Sequence, residues 1–269
     1  MLLTDFHCHT SFSHDSQAEP EEVVKFAIEK GVKVLALTDH MDLDFVDYGM
    51  KLDFDIAARK NKILELKDKY RRDIKLIYGV ELGQPYNYPE FAEQVISEGL
   101  FEFVIGAVHN LKNLPDFYFI HYSKMRFDNE NERGLANNLY SRYLDDVYKL
   151  TELPYVDTVA HCTYPCRYMK AGGLDFDVKP FYPKYEQIFK SIVKNGKFLE
   201  INTSNIRRNF DFTMPDTDLL QLYKDCGGRY VTVGADAHRP NEVGADIEVG
   251  YEKARSVGLE IITDIKERY

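Results

Sequence analysis

Residues 5–16 read DFHCHTSFSHDS, three histidines and two aspartates in twelve residues. They follow an apolar run of strand length, LLTDF (2–6), so His7 and His9 stand at the end of a candidate first strand. Side chains at i and i+2 of a strand share a face, roughly 6–7 Å apart. Both imidazoles therefore aim at one centre, while Cys8 between them turns away into packing.

The same arrangement recurs along the chain. Strand-length apolar runs lie at 32–38 (VKVLALT), 74–80 (IKLIYGV), 101–108 (FEFVIGAV), 155–160 (YVDTVA), 197–202 (KFLEIN) and 229–235 (RYVTVGA). Their nearly continuous apolar character suits parallel strands buried on both faces. Segments of helical period separate them. PEEVVKFAIEKG (20–31) places Pro20 in the first turn and Gly31 at the end, and PEFAEQVISEG repeats the device with Pro89 and Gly99. Leu52, Ile56, Ile63, Leu66 and Tyr70 mark a longer helix, and Leu139, Tyr143, Leu144 and Val147 another. Tyr185, Ile188, Phe189 and Ile192 precede Gly196, and Leu219, Leu220 and Tyr223 precede Gly227. Such alternation predicts a parallel α/β fold, an open sheet or a closed barrel, as a single domain over residues 1–269. The longest irregular stretch, roughly 110–136, has the length of a binding loop.

The strand ends carry the chemistry. The second runs into Asp39 and His40, the third into Glu81, the fourth into His109, the fifth into His161, and the seventh into Asp236 and His238. In parallel α/β folds these ends converge on one mouth, where reactions take place. A lone histidine at a strand end is ordinarily a hydrogen-bonded structural residue, and a carboxylate there often caps the next helix. Seven of the eight histidines, all but His121, lie at or just beyond strand ends. That pattern predicts a metal centre, and imidazole with carboxylate suits Zn, Mn and Fe alike.

Composition removes other classes. The chain has 269 residues, 44% of them hydrophobic, and a net charge of −10. No basic cluster extends beyond Arg71-Arg72 and Arg207-Arg208, which disfavours nucleic acid as a partner. No apolar run approaches the roughly 18–20 residues of a membrane helix, and the opening MLLTDFHCH lacks the parts of a signal peptide. Cys8, Cys162, Cys166 and Cys226 form no C-x-x-C pair and are expected as thiols. A cytoplasmic protein acting on a small molecule is expected; the oligomeric state is not legible.

The ordered set HCHTSFSHDS, TDH, VELG, AVHN, AHC and GADAH, from residue 7 to residue 238, resembles the PHP (polymerase and histidinol phosphatase) superfamily. Within it the chain looks most like the histidinol-phosphate phosphatases, by its length, the FSxDS form of the first motif, EIN at 200–202 and the long segment after His109. The resemblance implies a distorted (β/α)7 barrel with three divalent metal ions (Zn, Mn or Fe) at its mouth. The first ion would take His7, His9, Glu81 and Asp236; the second Glu81, His109 and His161; the third Asp15, His40 and His238. His14 and Asp15 are adjacent, and Asp15 fits the FSxDS form.

The resemblance implies hydrolysis of L-histidinol phosphate, a step of histidine biosynthesis, with another small phosphate ester such as a nucleotide or sugar phosphate as the alternative substrate. Three divalent ions less Asp15, Glu81, Asp236 and one bridging hydroxide leave about +2, which favours a phosphate dianion over a neutral amide. In-line attack by that hydroxide is expected, with the leaving-group proton from a metal-bound water, Asp236 or His238. Arg167, six residues after His161, is placed as a bidentate phosphate clamp. The arginine that the related phosphatases carry soon after EIN is displaced here to Arg207 and Arg208. His121 and Lys124 in the long loop are candidate substrate contacts. Glu200 either pairs with an arginine or orients a ligand, and Asp39 faces away from the centre. An amidohydrolase-like site would use a lysine bridge where Glu81 stands, and a non-enzymatic module would have lost ligands.

Overall fold

The structure is a computed structural model that describes residues 2–44, 55–122 and 130–265. All seven anticipated strands form, and every strand pair is parallel. In chain order they are β1 (Thr4–Asp5), β2 (Val34–Leu37) with its continuation β3 (His40–Asp42), β4 (Lys75–Gly83), β5 (Phe103–Ala107), β6 (Thr158–Val159), β7 (Phe198–Asn202) and β8 (Tyr230–Gly234). β2 and β3 are one interrupted strand, since both pair with β4 in the same register, Leu37 opposite Tyr78 and His40 opposite Glu81.

The ring closes between its first and last members. Phe6 N donates to Val233 O, Asp236 N to His7 O and His9 N to Ala237 O. A short β9 (Glu260–Ile261) pairs with the lower end of β8, so β1 engages only the upper end. That wedge distorts the barrel anticipated from the sequence resemblance.

Helices cover the outside: α1 (Pro20–Glu29), α2 (Ile56–Lys69), α3 (Pro89–Gly99), α4 (Glu130–Glu152), α6 (Tyr182–Lys194), α7 (Thr217–Asp225) and α8 (Ile247–Ser256), with a short α5 (Tyr164–Ala171) at the mouth. Pro20 and Pro89 begin their helices as expected, and Asp55 caps α2 by accepting from Ala58 N. Gly196 and Gly227 are left-handed and stop α6 and α7. At α3 the left-handed residue is Leu100 rather than Gly99; Gly99 is the last helical residue, where a Cβ would strike the Phe101 ring. α4 claims the end of the stretch expected to be irregular, and Leu52 lies outside the described residues.

Strand alternation divides the apolar residues into two cores. Phe6, Val34, Ala36, Ile77, Phe103, Ile105, Ala107 and Ala160 fill the barrel interior. The opposite faces, with Leu35, Leu37, Leu76, Tyr78, Val80 and Val104 among them, pack under the helices. The floor is anchored by Phe6 and Phe103, whose rings meet edge-on at 5.4 Å; truncating either would cost about 3–5 kcal/mol. Continuing the inward faces upward carries Ile77 to Glu81 and Ile105 to His109. The apolar barrel thus delivers polar side chains at its rim.

Candidate metal centre

Glu81 occupies the middle of the rim, buried on β4, and its two oxygens face different partners. Oε2 lies 3.1 Å from His7 Nε2, 3.5 Å from His9 Nε2 and 3.0 Å from His40 Nδ1. Oε1 lies 2.9 Å from His161 Nε2 and 3.2 Å from His109 Nε2. Asp236 Oδ1 completes the first group, 3.8 Å from His7 Nε2 and 3.3 Å from His9 Nε2. A third group stands further out, where Asp15 Oδ2 is 3.0 Å from His238 Nε2 and 3.7 Å from His40 Nε2.

Two tests bear on whether these residues suit metal ions. Donors about 2.1 Å from a tetrahedral zinc are about 3.4 Å from one another, and the separations above bracket that edge. Moreover, His7 Nε2, His9 Nε2, His40 Nδ1 and Glu81 Oε2 are buried without a hydrogen-bond partner. Buried polar atoms are ordinarily paired, and unpartnered nitrogen and oxygen atoms converging on one point suit a bound cation. The residues present fit divalent ions.

Backbone strain gathers here. His161 and Asp236 are non-glycine residues with positive φ, 23° and 53°, a conformation costing about 1–3 kcal/mol that persists where surroundings enforce it. Ala160 already faces the barrel interior, so plain alternation would turn His161 outward. The left-handed residue breaks the alternation and brings the imidazole to Glu81. Tyr143 Oη donates to His161 O, and Tyr185 Oη donates to Cys162 O, pinning that turn. Arg207 braces the other strained residue, donating from both Nη atoms to Ala235 O and Asp236 O at 2.6 Å.

Each imidazole nitrogen that faces away from the cluster also matters. His7 Nδ1 meets Glu200 Oε1 at 2.6 Å, and Glu200 Oε2 accepts from His161 N at 2.8 Å. Glu200 therefore orients ligands instead of pairing with an arginine. Gly234 permits that approach, since a Cβ there would sit 2.4 Å from His7 Cβ and 2.8 Å from Glu200 Oε1. His9 Nδ1 meets Ser13 Oγ at 3.0 Å, His109 Nδ1 meets Asp42 Oδ1 at 2.9 Å, and His238 Nδ1 meets Asp236 O at 3.1 Å. In each case the acceptor holds the proton on Nδ1 and leaves Nε2 as the metal donor.

Charge is balanced tightly. Burial opposes ionisation of Glu81, yet His7, His40 and His109 hold its carboxyl well below the usual range. Burial likewise opposes protonation of His40, but Glu81, Asp42 and Asp15 push it up to about 9. His7 and His109 are raised in the same way, against their burial, by facing carboxylates. His9 is lowered to about 3 by burial and by the neighbouring His238 and His40. Without metal, protonated imidazoles neutralise the carboxylates that a cation would otherwise neutralise.

A cleft of about 1520 Å³ opens over the group, larger than the roughly 300–1,000 Å³ that encloses a small ligand. Arg167, on α5, lines it while itself buried; it stacks on Tyr164 and Tyr168, donates from Nη2 to Ser204 Oγ at 3.2 Å and has an unpartnered Nε. Arg208 lines the cleft and is exposed, whereas Arg207 spends its fork on backbone carbonyls. His14 lines the cleft too, its side chain 48% exposed and its Nδ1 3.9 Å from Asp42 Oδ2. His121 is exposed and is not among the described residues lining the cleft; Lys124 lies outside the described residues.

The sequence reading missed Asp42, Ser13, Arg59 and Arg239. Asp42 had a signal, since it stands two residues after His40 and shares its face. Arg239 follows His238 directly and lines the cleft. Ser13 and Arg59 had none, because their partners come from other elements. Asp39 does face away, as anticipated, accepting from Arg59, Thr10 and Ser13.

Comparison with known proteins identifies the family. The model of the PHP domain family matches residues 5–204. The chain is 28% identical over 249 residues to a histidinol-phosphatase of Lactococcus lactis, spanning 88% of this chain and 85% of that one. It is 26% identical to a probable histidinol-phosphatase of Clostridium acetobutylicum across 96% of this chain and 95% of the relative. The fold is similar to that of a crystal structure of histidinol phosphate phosphatase from Lactococcus lactis, complexed with zinc, L-histidinol and phosphate. There the TM-score is 0.81 at 22% identity, with 99% of this chain and 98% of the other covered.

Proposed function

This chain belongs to the PHP domain family, and on that premise we propose that it is a metal-dependent phosphomonoesterase hydrolysing L-histidinol phosphate to L-histidinol and phosphate. The observation that carries the chemistry is the division of Glu81, one oxygen toward His7 and His9 and the other toward His109 and His161. The relatives' names carry the substrate. In this reading a single domain over residues 1–269 holds three ions. His7, His9, Glu81 and Asp236 hold the first, Glu81, His109 and His161 the second, and Asp15, His40 and His238 the third. Divalent ions held there would supply Lewis acidity toward the phosphoryl group and a water of lowered pKa as nucleophile.

The chain's own residues do the rest. Arg167 anchors the phosphate through its unspent Nε, its plane held by Tyr164 and Tyr168. Arg208 and Arg239 add positive charge at the rim, and Arg207 acts by holding Asp236 in place. Asp236 and His238 both line the cleft and are the candidate groups for supplying the proton that the leaving alkoxide takes up. Asp44, Asp116, Tyr164 and Tyr168 line the same cleft, which suits an ester whose organic part is cationic and aromatic. No helix among the described residues is long and apolar enough to cross a membrane. The four free thiols suit a reducing compartment, and a cytoplasmic setting is part of this reading.

The test is phosphate release by the purified, metal-analysed protein from L-histidinol phosphate and from a panel of nucleotide and sugar monoesters. Preference for histidinol phosphate by at least tenfold in kcat/KM is expected. A preferred nucleotide or sugar phosphate would transfer the same machinery to that substrate, and absence of turnover with metal bound would end the reading.

A further inference from the structure

One buried ion pair lies behind the metal cluster and outside it. Arg59, on α2, donates from Nε to Asp39 Oδ2 at 2.7 Å, and both side chains are almost fully buried. We propose that Arg59, Asp39 and Ser13 form a hydrogen-bond relay that keeps the proton of His9 on Nδ1, so that its Nε2 lone pair is directed into the metal cluster. The proposal rests on the metal centre described above.

The relay follows from donor and acceptor counting. Arg59 has only donors. Besides Asp39 it reaches Leu37 O at 3.0 Å and Gly79 O at 2.5 Å through Nη2, filling the interruption between β2 and β3. Asp39, fixed there, turns Oδ1 toward the first strand's loop. That oxygen accepts from Thr10 N at 2.5 Å, Thr10 Oγ1 at 2.9 Å and Ser13 Oγ at 3.0 Å. Ser13 has one proton to give. A hydrogen bond to a carboxylate is roughly twice as strong as a neutral one, so the proton goes to Asp39 rather than to His9. The Ser13 oxygen is left to accept, and it does so from His40 N at 3.0 Å while facing His9 Nδ1 at 3.0 Å. A ring nitrogen facing an acceptor carries its hydrogen. Asp236 Oδ1 and Glu81 Oε2 lie 3.3 and 3.5 Å from Nε2, but neither is a hydrogen-bond partner to it, so the proton stays on Nδ1 and Nε2 keeps its lone pair. Arg59, Asp39, Ser13 and His9 are each at most 3% exposed, so water does not substitute for a missing link. Arg59 and Asp39 are positioning residues in this scheme, acting on His9 through Ser13.

The deciding experiment reverses the polarity of the relay. In Asp39→Asn the side-chain oxygen must face Arg59 Nε, so the amide NH2 faces Ser13. Ser13 then turns its own proton to His9 Nδ1, and the ring moves its proton to Nε2. Nitrogen-15 spectra of the histidines in the metal-free protein should show His9 protonated on Nδ1 in the wild type and on Nε2 in Asp39→Asn. Zinc affinity should fall about 10- to 100-fold. Ser13→Ala keeps the buried ion pair and cuts only the last link, so it serves even where Asp39→Asn does not fold. It should weaken zinc about tenfold and abolish the single-tautomer signature. If the wild type takes up no zinc, the metal reading fails and the relay's purpose with it. If the wild type binds zinc while its metal-free His9 carries the proton on Nε2, or if the folded variants bind zinc as the wild type does, the relay alone fails.

Discussion

His7, His9 and His109 are each backed by a buried side chain, Glu200, Ser13 and Asp42, while the donors of the outer corner are held more loosely. There His238 is backed by a main-chain carbonyl, and Asp15 keeps 42% of its side chain exposed. Both regions use the same residue types at similar spacing. They differ in how much of the ligand geometry exists before any ion arrives. Backed, desolvated donors lose little freedom on ligation, and loss of such backing typically costs 10- to 100-fold in affinity. On the proposed three-ion reading, the donors backed in this way would bind tightly and the outer site would exchange its ion more readily.

The largest effect that would break this contrast is at Glu81. An amide in Glu81→Gln offers one acceptor oxygen where the carboxylate offers two, so one carboxylate can no longer serve both inner groups. Turnover should fall about a thousandfold or more, since several kcal/mol of charge stabilisation is removed. Metal analysis should show the inner ions depleted in a chain that keeps its circular dichroism. A variant that retains the inner ions and full activity would separate Glu81 from the bridging role.

How far the sequence disclosed all this follows the same divide. The seven barrel strands were legible because buried parallel strands are written as continuous apolar runs, and the candidate ligands, Asp15 apart, because each stands where such a run stops. α5 was not legible: YPCRYMKA spans only eight residues, and it begins within the turn that strains His161. α8 lacks a side-chain cap and follows a left-handed Asp246, so nothing local announces its start. β9 is two residues long and exists only as a partner for β8. Glu200 was legible as a candidate with two open roles, pairing with an arginine or orienting a ligand; the choice lay with its partners, His7 and the His161 backbone, which come from two other strands. Ser13 and Arg59 belong to the same class, in which the meaning of a residue is set by tertiary contacts alone.

A second effect sharpens the contrast through pH. In the metal-free chain His7, His40 and His109 have raised pKa values. A group raised on folding contributes stability in full below its unfolded value of about 6.5, and loses it as pH climbs through the folded value, about 9 for His40. Glu81 and Asp236 are shifted down, so their contribution is present above the ordinary carboxylate range and lost on acidification. The metal-free protein should therefore lose stability between pH 6.5 and 9. The metal-loaded protein should gain over the same window, because binding displaces those protons. Melting curves across that range, with and without chelator, should diverge with rising pH. Parallel curves would mean that these imidazoles do not exchange protons for metal.

The smallest effects fall at the outer corner and decide between neighbours. Asp15 and His14 are adjacent, and both line the cleft. Asp15 Oδ2 stands 3.0 Å from His238 Nε2, whereas His14 points its Nδ1 toward Asp42, 3.9 Å away, from a half-exposed position. Asp15→Asn should weaken the outer ion and lower turnover about 10- to 100-fold, with the inner ions retained on dialysis. His14→Ala should change stability by less than about 0.5 kcal/mol and, with Asp15 as the ligand, leave the outer ion bound. If instead His14→Ala loses an ion that Asp15→Asn keeps, His14 is the outer ligand. The FSxDS form would then be a poor guide to ligation, and the corner would draw its third donor from the side of Asp42.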